Sequence, residues 1–425
     1  MGLGVVGGGV AATLLDPAQH VARTVGRPVS LKRVLVRQPD KERQMGVPPG
    51  ILTADPTLLL NDPSIQVVVE VIGGEEPASS YIRQSLSRGK SVVTANKEVM
   101  AKEGQELLTL AAARGVDLLF EASVGGGIPI VGPLMKDLLA NDIRSIQAII
   151  NGTTNYMLTR MARDGMDFDE ALKEAQGLGF AEADPANDVE GIDAGYKLAV
   201  LASLAFHTQV RAEDVHREGI SGLRARDFRY AHELGYAIKL LAIARREGGQ
   251  VQARVHPCFV PQEHMLAKVD GVFNAVEVEG DLTGKILFHG RGAGREPTTS
   301  AIIGDLVEVA KKLGAGGGPA PFFPPGNSLT VAPMSELVTR YYIRLGAADR
   351  PGVLAQIARV LGDQDVSIAS VIQKDSNPGS QTAELVVTTH PAREKAVQES
   401  LQRMRGLQVV RQVDNLVRVE DWPSD

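Results

Sequence analysis

The residues best placed to do chemistry lie between Ala175 and Lys197, in the run AQGLGFAEADPANDVEGIDAGYK. Pro185 and the surrounding Asp and Asn residues cannot continue a helix, which leaves Glu182, Asp184 and Asp188 in an acidic loop, with Asp188 able to cap the helix that follows. On that helix Asp193 and Lys197 stand one turn apart and share a face. Spacing alone leaves two readings open. On a surface the two form an ordinary ion pair worth about 0.2–0.5 kcal/mol; in a cleft they are a lysine oriented and tuned for proton transfer.

Thr94-Ala95-Asn96-Lys97 follows a short apolar strand and precedes a helix, so Lys97 falls beside the crevice where open α/β sheets bind ligands. A capping Asn and a solvated Lys are the plainer alternative. Gly2, Gly4 and Gly7 form G-x-G-x-x-G, whose glycines allow a tight turn and let amides at a helix start approach a pyrophosphate. The motif should follow a strand, and here only Met1 precedes it. The first strand is therefore expected to be missing or nearly so, and either the true start lies upstream of Met1 or cofactor affinity is reduced. At the end of the second strand, where NAD enzymes offer an acid to the ribose, the chain has Val36-Arg37-Gln38-Pro39. Arg37 suits the 2′-phosphate of NADP, or is simply a solvated strand-end arginine.

These residues need a scaffold. Short β-branched runs at 31–36, 65–73, 91–95 and 116–123 alternate with helical spacing at 77–89 and 98–114, the rhythm of βαβ units and a parallel sheet. From about Pro129 to His289 long helical patterns at 153–177 and 191–207 give way to strands at 250–259, 272–280 and 284–289, predicting helices on one side of a mainly antiparallel sheet. A Gly/Pro stretch, GAGGGPAPFFPPGN at 314–327, reads as a linker. Beyond it Tyr341–Leu345, the turn DRPG at 349–352, VLAQIARVLG, VSIASVIQ, TAELVVTT, a helix from about Pro391 and a last strand follow the βαββαβ order of a ferredoxin-like module. The expected division is a Rossmann-like dinucleotide-binding domain over 1–128, to which 295–315 returns, an α+β catalytic and dimerisation domain over 129–294, a linker over 316–337 and a regulatory module over 338–425.

Composition agrees with a multidomain α/β protein. Of 425 residues 44% are hydrophobic, 23% charged and only 4% aromatic, too apolar for a disordered chain and fitting cores of Val, Ile, Leu and Ala. The net charge of -6 is spread without a basic stripe, which argues against nucleic-acid partners. No apolar run is long enough to span a bilayer and no secretory signal opens the chain, so a cytoplasmic protein is expected. The single cysteine, Cys258, lacks a nucleophile motif and reads as a buried structural thiol; the eight histidines show no metal-ligand spacing, so a transition-metal site is not expected.

The run Ala175–Lys197 resembles the signature of the homoserine dehydrogenase family, and the likeness extends to EVIGG at 70–74, TANK at 94–97, EASVGGGIPI at 121–130, NGTTNYML at 151–158 and GRGAG at 290–294. The resemblance implies an oxidoreductase that interconverts L-homoserine and L-aspartate 4-semialdehyde in threonine, methionine and isoleucine biosynthesis. It makes Lys197 the proton donor and acceptor at the substrate oxygen and Lys97 a second essential lysine. Glu182, Asp188 and Asp193 become substrate-binding carboxylates, with Asp193 also orienting Lys197. Gly2, Gly4, Val5, Val6, Gly7, Arg37, Gly73, Gly74, Thr94, Lys97, Gly179, Glu182 and Gly294 become cofactor contacts for NADP or NAD. Glu121, Val124, Gly126 and Ile128 resemble the family's site for a monovalent cation such as sodium. The C-terminal module resembles an ACT domain, whose DRPG turn offers Asp349 and Gly352 to an effector, threonine by family likeness. A homodimer or homotetramer and a monofunctional chain are expected on the same ground. The alternatives are another amino-acid aldehyde or hydroxy-acid dehydrogenase with an ACT appendage, or a catalytically silent amino-acid sensor.

Overall fold

The computed structural model describes all residues except 17, 19, 42–45, 316–328, 378–381 and 421–425. The N-terminal part runs α1 (Val5–Leu14), α2 (His20–Val25), β1 (Val34–Leu35), β2 (Leu52–Thr53), α3 (Thr57–Leu60), β3 (Val67–Glu70), α4 (Ala78–Ser87), β4 (Ser91–Thr94), α5 (Lys97–Arg114) and β5 (Leu118–Leu119). The strands are parallel, β1 with β2 and β3 with β4 and β5. The hydrogen-bonded cores are shorter than the β-branched runs that announce them, because the ends of those runs leave the ladder to become the loops of the site.

The expected gap before the glycine turn has a specific form. Met1 and Gly2 by themselves bridge the two parallel sheets: the Met1 ammonium donates to the Val69 carbonyl at 2.6 Å, the Val71 N–H to the Met1 carbonyl at 3.0 Å, and the Gly2 N–H to the Leu35 carbonyl at 3.0 Å. Burial pulls the Met1 ammonium down to about 6 against the attraction of Glu70. Beside this two-residue bridge lies a cavity of about 470 Å³, walled by apolar residues such as Val10, Leu14, Val34, Val67 and Leu306.

After α6 (Val131–Met135) the chain builds β6 (Ile143–Ile149), α7 (Gly152–Asp164), α8 (Phe168–Gly177), α9 (Ala186–Val189), α10 (Ile192–Phe206), β7 (His216–Arg217), α11 (Ala225–Glu233), β8 (Tyr236–Glu247), β9 (Gln250–Pro261), β10 (Phe273–Gly280) and β11 (Gly284–Arg291). The sheet order β11-β10-β6-β8-β9 is antiparallel throughout, as expected. The helical stretch at 153–177 is two helices rather than one. Gly165, at φ +67°, ends the first, and the Glu170 carboxylate accepts the Asp167 N–H at 3.3 Å to start the second. Helix α12 (Arg295–Ala315) then returns to pack on α1, where Ile302 and Val309 share a core with Val10, Val93 and Leu119. Gly9 makes this approach possible, since a Cβ there would overlap the Thr299 hydroxyl.

Most of the expected linker lies outside the described residues. Past it come β12 (Thr330–Val331), β13 (Val338–Ala348), α13 (Val353–Gly362), β14 (Ile368–Asn377), β15 (Thr382–Thr389), β16 (Ala392–Arg393), α14 (Glu394–Arg405) and β17 (Val410–Val419). The order β17-β13-β15-β14 is that of the ferredoxin-like βαββαβ unit. This module is not a separate bead. Its edge strand β17 pairs in parallel with β9, Arg418 opposite Cys258, so that one sheet runs from β11 to β14. Buried charge fastens the seam: Arg418, 1% exposed, donates twice to the Glu218 carboxylate at 2.7 Å and to Glu394 at 2.6 Å, while Arg344 donates to Asp227 of α11 at 2.8 Å.

Candidate active site

Two open clefts meet at Gly73. The first, about 840 Å³, lies over the glycine turn and is lined by Gly2, Gly4, Arg37, Lys41, Gly73 and Tyr81 among others. The three motif glycines divide their work as the pattern requires. A Cβ on Gly2, whose φ is +92°, would stand 2.7 Å from the Val71 carbonyl oxygen, and one on Gly7 would overlap the Gly2 carbonyl. At Gly4, the residue before α1, a Cβ would meet only open space. Gly2 and Gly7 therefore fold the turn, while Gly4 leaves the helix start accessible to an anion.

The second cleft, about 580 Å³, is lined by Gly73, Gly74, Asn96, Lys97, Glu182, Asp184, Asp188, Asp193 and Tyr196. Lys97 opens α5, whose cap Asn96 accepts the Val99 N–H at 3.2 Å and donates to the Gly74 carbonyl at 2.7 Å. Below it the buried Glu70 accepts the Thr94 hydroxyl at 2.6 Å and the Ile72 N–H at 2.7 Å, tying the ends of β3 and β4 together.

The centre is Asp193. One carboxylate oxygen meets the Lys97 ammonium at 2.5 Å; the other accepts from Lys197 at 2.7 Å and from the Asn151 amide at 3.0 Å. Lys197 also donates to the Ile150 carbonyl at 2.8 Å. Burial alone would raise the Asp193 carboxyl, but the two ammonium groups outweigh it and hold the carboxyl well below the ordinary range. Lys97 is 41% exposed, and Asp193 overcomes its desolvation to raise its affinity for a proton, so Lys97 remains an ammonium. Lys197 is only 12% exposed. The arrangement places one exposed lysine and one shielded, oriented lysine beside a common anion at the mouth of a cleft. That suits binding an oxygen whose charge changes and moving a proton to or from it. Between the two α10 residues, Gly195 makes room for Arg217, whose Cδ would lie 2.7 Å from any Cβ there.

The structure brings the i,i+4 pair out of the solvated reading, because Lys97 arrives from a distant loop to share its carboxylate. Glu182, Asp184 and Asp188 line the same cleft. Other candidates are not on the lining of either cleft. Thr94 is fully buried with its hydroxyl given to Glu70, so it shapes the turn rather than facing the cleft. Val5, Val6, Gly7, Gly179 and Gly294 are not among the residues lining the two clefts; Gly179 and Gly294 occupy turns at φ +76° and +118°. Lys41 in the first cleft and Asn151 behind the second were not singled out from sequence, although an Asn just ahead of a helical run is a capping signal.

The suspected cation residues share the turn 121–128, where Val124 and Ile128 are buried and Gly126 takes φ +53°. The Glu121 carboxylate, however, accepts the N–H groups of Ile130, Val131 and Gly132 at 2.5–3.0 Å. In the C-terminal module Gly352, at φ +83°, precedes α13, and Asp349 accepts from Gln373 at 3.4 Å. Cys258 is buried, its thiol pushed up well above the ordinary range by burial, in keeping with a structural role. It does sit with His256 and Glu420 within 4.8 Å, a grouping of potential ligand atoms that the histidine spacing had not suggested. Three arginines, Arg245, Arg254 and Arg418, lie around that cluster and oppose a further cation.

No helix among the described residues is long and apolar enough to cross a membrane. Residues 2–121 match the family profile described as homoserine dehydrogenase, NAD binding domain, residues 129–307 that of homoserine dehydrogenase, and residues 341–407 that of the ACT domain. The chain is 44% identical to a homoserine dehydrogenase of Synechocystis sp., over 99% of this chain and 98% of that one, and 40% identical to one of Bacillus subtilis, over 99% and 97%. Among solved structures it is similar to a homoserine dehydrogenase from Thiobacillus denitrificans, with TM-score 0.92, 44% identity and 99% and 97% of the two chains covered. A hyperthermophilic archaeal homoserine dehydrogenase in complex with NADPH is similar over 73% of this chain and 96% of its own, with TM-score 0.58 and 26% identity. With a dinucleotide-type glycine turn, a lysine pair and a C-terminal ACT module carried in one chain, this protein belongs to the homoserine dehydrogenase family, in the form that bears a C-terminal ACT domain.

Proposed function

We propose that the chain oxidises L-homoserine to L-aspartate 4-semialdehyde, and reduces it in return, as a cytoplasmic enzyme of amino-acid biosynthesis, with Lys197 and Lys97 as its catalytic residues. The observation that carries this is the shared carboxylate of Asp193, which holds both lysines at the end of the acidic cleft. A nicotinamide cofactor, when bound, would supply the hydride acceptor for the substrate carbon that carries the hydroxyl. In its neutral form Lys197 takes the hydroxyl proton in that direction, becoming an ammonium, and as the ammonium it returns the proton in the other, while the Lys97 ammonium stabilises the charge developing on the oxygen. Glu182 and Asp188, with Asp184 close by, supply the negative wall for the ammonium group of the amino acid.

The cofactor belongs in the first cleft, its pyrophosphate at the open face of Gly4. Arg37 and Lys41 on the wall of that cleft favour NADP over NAD. A monovalent cation would draw on the backbone carbonyls of Val124, Gly126 and Ile128, since the Glu121 side chain is already engaged by backbone N–H groups. Threonine at the Asp349–Gly352 turn is the proposed effector, and a homodimer or homotetramer the proposed assembly.

The purified chain is expected to reduce NADP with homoserine faster than with other hydroxy acids, and to lose preference for NADP over NAD in Arg37→Ala. Faster turnover of another hydroxy acid would favour the broader dehydrogenase reading. Threonine binding by calorimetry without turnover in either cofactor would overturn the enzymatic assignment in favour of a sensor.

A further inference from the structure

We infer that Asn151 is a positioning residue for the reaction centre: a single side-chain amide at the β6–α7 junction that spaces two cleft carboxylates and thereby aims Lys197. The inference rests on the catalytic reading above. Asn151 is 6% exposed and is not among the residues lining the cleft; its side-chain partners are Asp188, Asp193 and Thr154. Its two amide hydrogens go to different carboxylates, Asp188 of α9 at 2.7 Å and Asp193 of α10 at 3.0 Å. Its carbonyl oxygen accepts the Thr154 N–H and the Thr154 hydroxyl, both at 2.9 Å. Donors on one side and acceptors on the other fix which way the amide faces. The neighbouring Ile150 carbonyl holds Lys197 at 2.8 Å, so the same two residues grip both members of the Asp193/Lys197 pair.

The physical need is plain. Two carboxylates within reach of one nitrogen repel each other in a partly dry cleft, and the Asn151 amide donates to both. With both lysines gathered on Asp193, Asp188 takes its hydrogen bond from this amide and feels Lys97 through charge alone. Without the bridge, the Asp193 oxygen that accepts from Lys197 loses one of its two donors, and Lys197 loses a fixed aim at the substrate oxygen.

Three variants separate positioning from folding. Asn151→Ser keeps a good helix cap yet has no amide to span two carboxylates. It is expected to melt close to the parent and bind NADPH equally well, while kcat for homoserine falls 10- to 100-fold. Asn151→Asp places a third carboxyl among Asp188, Asp193, Lys197 and, behind Asp193, Lys97. It must be protonated to donate, so its activity relative to the parent is expected to rise as pH falls from about 9 to 6. Asn151→Ala should lose both stability and rate. A parental kcat in Asn151→Ser, or a relative activity of Asn151→Asp that is flat with pH, would overturn the inference. Failure of the parent to oxidise homoserine would instead strike the catalytic reading; a crystal structure of Asn151→Ser then decides the positioning claim, which predicts a displaced Asp188 or Asp193 carboxylate and falls if neither moves.

Discussion

Replacing Asp193 by Asn changes one oxygen to an amide and little else in volume, which makes it the sharpest perturbation of the centre. The native carboxylate accepts from Lys97 at 2.5 Å, from Lys197 at 2.7 Å and from Asn151 at 3.0 Å. An amide keeps one acceptor and turns two hydrogens toward groups that are themselves donors. At 4 Å a charge pair is worth about 4 kcal/mol with an effective dielectric near 20, and desolvation offsets much of that. Lys97, 41% exposed, can swing into water, whereas Lys197, 12% exposed, cannot, so the structural loss is expected to be about 2–4 kcal/mol. The catalytic loss should be larger in effect: with Lys197 unaimed and Lys97 released, kcat/KM for homoserine should fall about 10²- to 10⁴-fold, or about 2.7–5.5 kcal/mol at 1.36 kcal/mol per decade. Steady-state rates of NADP reduction and urea melts at pH 8 read the two terms separately. The KM for NADP should stay within a factor of about two, because the first cleft is untouched. A variant that retains more than a fifth of parental kcat/KM would refute the claim that the carboxylate organises both lysines.

The glycine turn makes a paired prediction: Gly4→Ala should fold normally yet raise the KM for NADP at least about tenfold, whereas Gly7→Ala, blocked by the Gly2 carbonyl, should destabilise the fold by about 1–3 kcal/mol, both read by melts and kinetics. Arg418→Met removes the partner of Glu218 and the buried Glu394, and should cost about 3 kcal/mol in a denaturant melt at pH 8. Against burial, His216 and Arg418 hold the Glu218 carboxyl below its usual range and Arg418 does the same for Glu394, so that Arg418's share of the stability is present above their unfolded value near 4.5 and lost as pH falls below it; the parent and the variant should converge in acid. Asp305 behaves oppositely. Burial pushes its carboxyl up to about 7, so its ionisation opposes the fold increasingly from about pH 4 to 7. Asp305→Asn, which can still accept the Glu121 N–H, should therefore stabilise the protein by about 1–2 kcal/mol at pH 8 and give no advantage near pH 4.

Local chemistry was legible in the sequence, and meetings between distant segments were not. Helical spacing placed Asp193 and Lys197 on one face, but only the fold brings Lys97 to the same carboxylate, since nothing in a βαβ rhythm says which loop faces which helix. The motif glycines gave the turn, and the near-absence of a preceding strand was visible too. That two residues would bridge two parallel sheets by their backbone groups was not. Strands β6 and β8 escaped notice because buried strands such as Tyr236–Glu247 read as apolar runs without alternation, which periodicity cannot tell from helix. The Thr94 hydroxyl serves the buried Glu70, a residue whose burial no sequence pattern disclosed. The ferredoxin-like order of the C-terminal module was readable from its elements, yet its fusion to β9 through Arg418 depends on edge pairing that alternation does not encode.

Proton transfer by Lys197 is the step on which turnover depends most directly. Lys197→Met conserves much of the stem and removes the amine. The measurement is its kcat for homoserine oxidation alongside its Kd for NADPH. A loss of about 10³-fold or more in kcat with Kd unchanged is the predicted result, and near-parental turnover would contradict it.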